Sequence, residues 1–175
     1  MKQLTHIFVL VLFLSSSAFC RAESEKVEHD FSDLNKKSAI TFSSGNKVAE
    51  TGLLTYTCTG KNAEFNSDGS RLVIKLVNKD EYVTTTRVDE LTRLFIYCNK
   101  TGTPSNIQIY LSKNGVDFGS PLSEGVEYLG AGTIDAAFPR GNYYVKIVNT
   151  TGGNTFFIKQ IDYYLDHCNC FEYVP

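Results

Sequence analysis

No stretch of this sequence stays apolar for the roughly 20 residues that a membrane-spanning helix requires. The apolar run near the N-terminus, residues 7–14, is far shorter. Clusters of one charge are missing too. Lysine and arginine together number 17 against 19 for aspartate and glutamate, the formal net charge is −2, and the cations are scattered. No basic stripe exists to neutralise a phosphate backbone, so nucleic acid is excluded as an expected partner. The motifs G-x-S-x-G, H-E-x-x-H, G-x-G-x-x-G and the P-loop are all absent, which removes the common hydrolase and nucleotide-binding signatures. Beyond the first residues only His29 and His167 could serve Ser-His or Cys-His catalysis, and neither sits in such a motif. Their expected role is an ordinary surface one. No amphipathic helix of useful length, internal repeat or low-complexity linker is present. Tryptophan is absent, so any aromatic surface must come from ten tyrosines and twelve phenylalanines.

What is present begins with an export signal. A lysine precedes the apolar run, and Ser15, Ser16, Ser17 and Ala18 follow it, ahead of Phe19, Cys20, Arg21 and Ala22. This is the pattern of a secretory signal peptide, with cleavage after Cys20 or after Ala22 both open. A lipid anchor at Cys20 is the alternative, although Phe19 stands where such a signal has a small residue. The chain is expected to divide into a signal peptide (1–22), an N-terminal tether or edge strand (23–37) and one domain (38–175). It should be exported, whether to a periplasm, the medium or the cell surface. The roughly 150 residues left after cleavage suit a single core.

Cys58, Cys98, Cys168 and Cys170 remain after the leader. An even number in an exported chain points to disulfides. A bridge from Cys168 to Cys170 would close a very small ring, so each is expected to meet Cys58 or Cys98. His167 with these thiols would also make a zinc donor set, but the C-x-C step lacks the usual ligand spacing and export favours oxidation. Asn66, Ser67, Asp68 and Gly69 resemble half of a calcium loop without its downstream glutamate, and are read as a turn. No metal or cofactor is expected.

Period-two alternation recurs with turn signals between the runs, the pattern of an all-β, antiparallel two-sheet β-sandwich, jelly-roll-like, with about eight to ten strands. Leu54, Tyr56 and Cys58 alternate with threonines and should face inward. Residues 71–77 read as a strand, and 93–98, apolar on both phases, as a central one. Ile107, Ile109 and Leu111 form an inward set, and Asn114-Gly115 signals a type I′ hairpin with 116–118 as the returning strand. Residues 133–138 and 143–149 read as strands joined by a turn at 139–142. In the last strand the apolar phase shifts near Lys159 or Gln160, which implies a bulge.

By phase, Tyr110 and Tyr144 share their faces with Gln108, Ser112 and Lys146. Flat rings beside polar side chains suit sugar binding, because a ring covers the apolar face of a pyranose while its neighbours bond the hydroxyls. Tyrosines packing against a second layer would give the same pattern. Glu124, Glu127 and Asp135 are the nearest approach to a glycosidase carboxylate set, though solvated loop acids look identical in sequence.

Four stretches stand out: Tyr56-Thr57-Cys58-Thr59-Gly60 before Ala63-Glu64-Phe65, then Ile109-Tyr110-Leu111-Ser112-Lys113-Asn114-Gly115, Gly141-Asn142-Tyr143-Tyr144-Val145-Lys146-Ile147 and Phe157-Ile158-Lys159-Gln160-Ile161. Through them the chain resembles small exported β-sandwich proteins and accessory modules of gut Bacteroidetes. These patterns are also similar to galactose-binding-type jelly rolls and carbohydrate-binding modules. The resemblance implies a sandwich without chemistry of its own that binds polysaccharide or oligosaccharide. A structural or interaction protein of the envelope, joining a partner by strand addition, is the alternative, and a glycan-active enzyme ranks third.

Overall fold

The computed structural model describes residues 20–29, 40–41, 47–50, 54–68, 71–98, 106–129 and 132–170. The strands among them are β1 (Cys20–His29), β2 (Ile40–Thr41), β3 (Lys47–Glu50), β4 (Thr55–Thr59), β5 (Glu64–Asp68) and β6 (Arg71–Leu76). Then follow β7 (Tyr82–Thr85), β8 (Val88–Cys98), β9 (Ile107–Ser112), β10 (Val126–Leu129), β11 (Thr133–Asn149) and β12 (Phe156–Cys170). All pairings between them are antiparallel.

The strands follow one hydrogen-bonded path, β2-β3-β4-β7-β11-β8-β12-β6-β5. That path forms the expected two-sheet sandwich because β11 belongs to both sheets. Its first part pairs with β10 and β8, and its last part, from Tyr144 to Asn149, pairs with β9 and β7. We call the β10-β11-β8-β12-β6-β5 layer, with β1 alongside β12, the first sheet, and the β9-β11-β7-β4-β3-β2 layer the second.

Alternation places the core between the layers. Leu54, Tyr56 and Cys58 of the second sheet and Leu94, Ile96, Ile134, Ile161 and Tyr163 of the first are buried in one cluster. The Tyr56 and Tyr163 hydroxyls meet across it, 2.9 Å apart. Strand β8 runs between β11 and β12, as the apolar character of 93–98 implies. The bulge in β12 is also where the phase shift puts it: Ile158 stands opposite Cys98 and Gln160 opposite Tyr97, leaving Lys159 as the extra residue.

Two turns differ from expectation. Residues 139–142 do not end a strand. β11 runs through them with register shifts against β8 around Gly141, and the bend is fixed by Tyr143, whose hydroxyl donates to the Pro139 carbonyl at 3.0 Å while its ring meets Phe138 edge-on at 5.7 Å. Residues 116–118 do not return as a strand beside β9. A type I′ turn needs positive φ at both central residues, and here Gly115 has φ +77° but Asn114 does not. The Asn114 side-chain oxygen accepts from the Val116 and Asp117 amides, both at 2.9 Å, and this Asx-type turn steers the chain away.

The cysteines also need correction. Cys98 is a buried, free thiol opposite Ile158. Cys168 and Cys170 lie ten and twelve residues further along β12, about 33 and 40 Å at the rise of a strand, whereas bridged Cα atoms stand about 5.5 Å apart. No disulfide joins them to Cys98. Cys58 is buried in the second sheet opposite Val83. In register, Cys170 stands opposite Cys20 and Cys168 opposite Ala22, with side chains outside the described residues. Residues 1–19 of the expected signal peptide lie outside the described residues as well.

Burial pushes the Cys98 thiol up to about 12. The thiolate is the reactive form, so the Cys98 peptide should stay unlabelled by iodoacetamide in native protein at pH 8 and label fully in denaturant. Peptide mass spectrometry reads this directly, and rapid native labelling would contradict the buried placement.

Candidate functional site

The sequence-derived candidates converge on the outer face of the second sheet. Ile107, Ile109, Val145 and Ile147 point into the core, so Gln108 and Tyr110 of β9 and Tyr144 and Lys146 of β11 take the opposite phase. Register sets Lys146 opposite Tyr110 on one side and opposite Thr84 of β7 on the other. The Tyr110 hydroxyl donates to Gln108 Oε1 at 2.8 Å.

Lys146 is the centre of the arrangement. Its ammonium stands 4.2 Å from the Tyr82 ring centroid, 5.5 Å from Phe118 and 5.7 Å from Tyr110. All three rings are half-buried. Cation–π attraction at such distances holds the ammonium among the rings. Tyr144 lies two register pairs further on and serves the turn: its ring packs over Gly115, where an added Cβ would approach it to 3.1 Å. Tyr110, Gln108 and Lys146 are therefore joined, with Tyr144 beside them.

Sequence reasoning missed Tyr82 and Phe118. Tyr82 opens the alternating run Tyr-Val-Thr-Thr, with Val83 buried, which marks it as outward-facing. Its neighbourhood depends on β7 lying beside β11, a long-range pairing that spacing does not reveal. Phe118 reaches Lys146 only because the chain leaves β9 through the Asn114 turn.

A second aromatic group lies on the outer face of the first sheet. Phe95 meets Tyr164 at 5.6 Å and stacks beside Tyr97 at 6.5 Å, while the Arg93 guanidinium sits 4.6 Å over Phe95. Its charges are mutually satisfied. Arg93 bonds both Asp135 oxygens, at 2.7 and 2.5 Å, which raises the Arg93 pKa. Buried Asp162 accepts from Tyr97 at 3.1 Å and Gln160 at 2.7 Å and pairs with Lys26 at 2.9 Å. Hydrogen bonds to Glu28 and Asp162 hold the Lys26 pKa well above the usual lysine value.

The three acids noted in the sequence do not form a matched pair. Asp135 is engaged by Arg93 and stands opposite Glu127 on adjacent strands. Glu124 instead lines a cleft of about 380 Å³ with Leu122, Phe138 and Pro139. Among the described residues no group of three or more His, Cys, Asp or Glu could hold a metal ion. The side chains of His29, His167 and residues 66–69 lie outside those described. No helix among the described residues is long and apolar enough to cross a membrane.

No family model and no curated protein matches this chain. Among solved structures, a family two carbohydrate esterase from Cellvibrio japonicus matches at 13% identity with a TM-score of 0.47. The match covers 89% of this chain and 37% of that one, so the chain spans little more than a third of that protein's length.

Proposed function

We propose that this chain is an exported, non-catalytic carbohydrate-binding protein whose ligand lies on the outer face of the second sheet. The supporting observation is the Lys146 cluster, where Tyr82, Tyr110 and Phe118 surround a fixed cation beside the Tyr110–Gln108 pair. Rings take the apolar face of a pyranose, and the amide, hydroxyl and ammonium groups around them bond its hydroxyls. Thr84, Gln108 and Tyr144 extend the polar border.

A glycan array tests this reading. Binding to at least one polysaccharide is expected, weakened about tenfold or more by Tyr110→Ala with Tyr144→Ala, since each aromatic anchor contributes on the order of 1 kcal/mol or more. No binding to any glycan, or unchanged affinity in the double variant, sinks the proposed site.

One observation favours the protein-interaction reading. Among the described strands β10 pairs only with β11, and it exposes Tyr128 and Leu129. An incoming strand could add to this edge. Recovery of a stoichiometric envelope protein that Leu129→Lys abolishes would support that use over glycan binding.

A further inference from the structure

Five cations with described side chains are neutralised within the fold. Lys26, Lys75, Arg87, Arg93 and Arg140 each pair with a carboxylate. Lys146 makes no ion pair among the described residues, although it is half-buried and held by three rings. Lys61, Lys79 and Lys113 also lack ion pairs there, but they are exposed and solvated. The described outward positions of β9, β11, β7 and β4 around Lys146 are tyrosine, threonine, serine, glutamine and valine, with no carboxylate. The nearby acids are engaged elsewhere. Asp117, next to Phe118, accepts from Asn114 Nδ2 at 2.9 Å, and Glu81, next to Tyr82, is turned inward onto backbone amides.

An ammonium has three donors and ring faces satisfy none of them by conventional hydrogen bonding. The rings also remove part of its water, which strengthens its attraction for an anion. Lys146 is thus a preorganised positive charge among aromatic rings, with no carboxylate at the described outward positions of the four strands around it. We infer that the carbohydrate bound there is anionic: an acid group of the sugar, carboxylate or sulfate, meets the Lys146 ammonium while the pyranose lies against Tyr110. This rests on the carbohydrate reading and names the ligand class for the same face.

The test measures affinity by calorimetry for two charged polymers, polygalacturonate and dextran sulfate, beside the neutral polymers galactan and dextran. One charged polymer should bind at least about tenfold tighter than its neutral counterpart, the factor expected of one charge-assisted hydrogen bond. Whichever charged polymer binds identifies carboxylate or sulfate. Raising sodium chloride from about 50 to about 500 mM should weaken that binding, because screening acts on the exposed side of the pair. Lys146→Met should lose the charged-over-neutral preference with an unchanged thermal midpoint, and Lys146→Arg should keep it. Should Lys146→Met fold poorly, the wild-type polymer and salt comparisons still decide. Tightest binding to a neutral polymer, insensitive to salt and to Lys146→Met, would overturn the anionic assignment and leave carbohydrate binding standing. Free sulfate or acetate binding as tightly as the polymer would overturn the sugar part. Binding to none of the four polymers in this assay, with no other glycan bound on the array, defeats both readings.

Discussion

Replacing Glu81 with alanine should destabilise the protein by about 3–5 kcal/mol, the range for losing several buried hydrogen bonds to one charged group. Glu81 is 3% exposed. One carboxylate oxygen accepts from the Asn62 amide at 2.7 Å and Asn78 Nδ2 at 2.8 Å. The other accepts from the Val77 and Asn78 amides at 2.7 and 2.9 Å. One side chain therefore ties the segment between β4 and β5 to the turn between β6 and β7. Alanine would strand three backbone donors. Gly60 is part of the same construction: its φ is +137°, and a Cβ there would collide with the Glu81 side chain. Gly60→Ala should also destabilise, and the two costs should be less than additive, because Glu81→Ala removes the clash but not the backbone strain.

Burial works against the Glu81 charge, but the Asn78, Asn62 and Val77 donors outweigh it and hold the carboxyl below its ordinary value. The charged form's contribution is then complete above the unfolded-state value of about 4.3 and is lost as pH falls through the lower folded value. Guanidinium midpoints at pH 7 and pH 3 should fall further in the wild type than in Glu81→Gln, which has no such titration. A loss below 1 kcal/mol in Glu81→Ala at pH 7 would refute the tie. Since Tyr82 directly follows Glu81, a loosened turn should also weaken the glycan binding proposed for the Lys146 cluster.

Leu94→Ala should cost a similar 3–5 kcal/mol, as large-to-small changes in rigid cores do. Leu94 is fully buried on β8, between Ala136 of β11 and Tyr163 of β12. Its neighbours are held from both sides, so the vacated space cannot collapse. Phe95→Ala, one residue on but facing outward, should cost clearly less because it opens to solvent. Chemical unfolding of the two variants compares them, and equal losses would contradict the assignment of faces.

The inward faces were legible because strand alternation is local. Leu54, Tyr56 and Cys58, or Ile107 and Ile109, show their direction within five residues, and the phase shift at Lys159 shows the bulge without reference to its partner strand. Features that depend on long-range pairing were not legible. The run Pro139-Arg140-Gly141-Asn142 has turn composition, yet the chain stays extended because β8 continues to pair beyond Gly141. An even cysteine count says nothing of distance, and Cys98 lies at the far end of β12's ladder from Cys168. Gln108, Tyr110 and Lys146 were found from phase alone, whereas Tyr82 and Phe118 come to them only through the β7–β11 pairing and the Asn114 turn.

Strand β11 has a consequence for how the molecule can be taken apart. Its 17 residues, about 56 Å of extended chain, supply interior rungs to both layers in one uninterrupted segment. A cut at the Pro139 bend would leave neither layer whole on one fragment, because β4 and β7 of the second layer alternate along the chain with β5, β6 and β8 of the first. Neither layer corresponds to one continuous stretch of sequence, so neither could be transplanted alone into another protein.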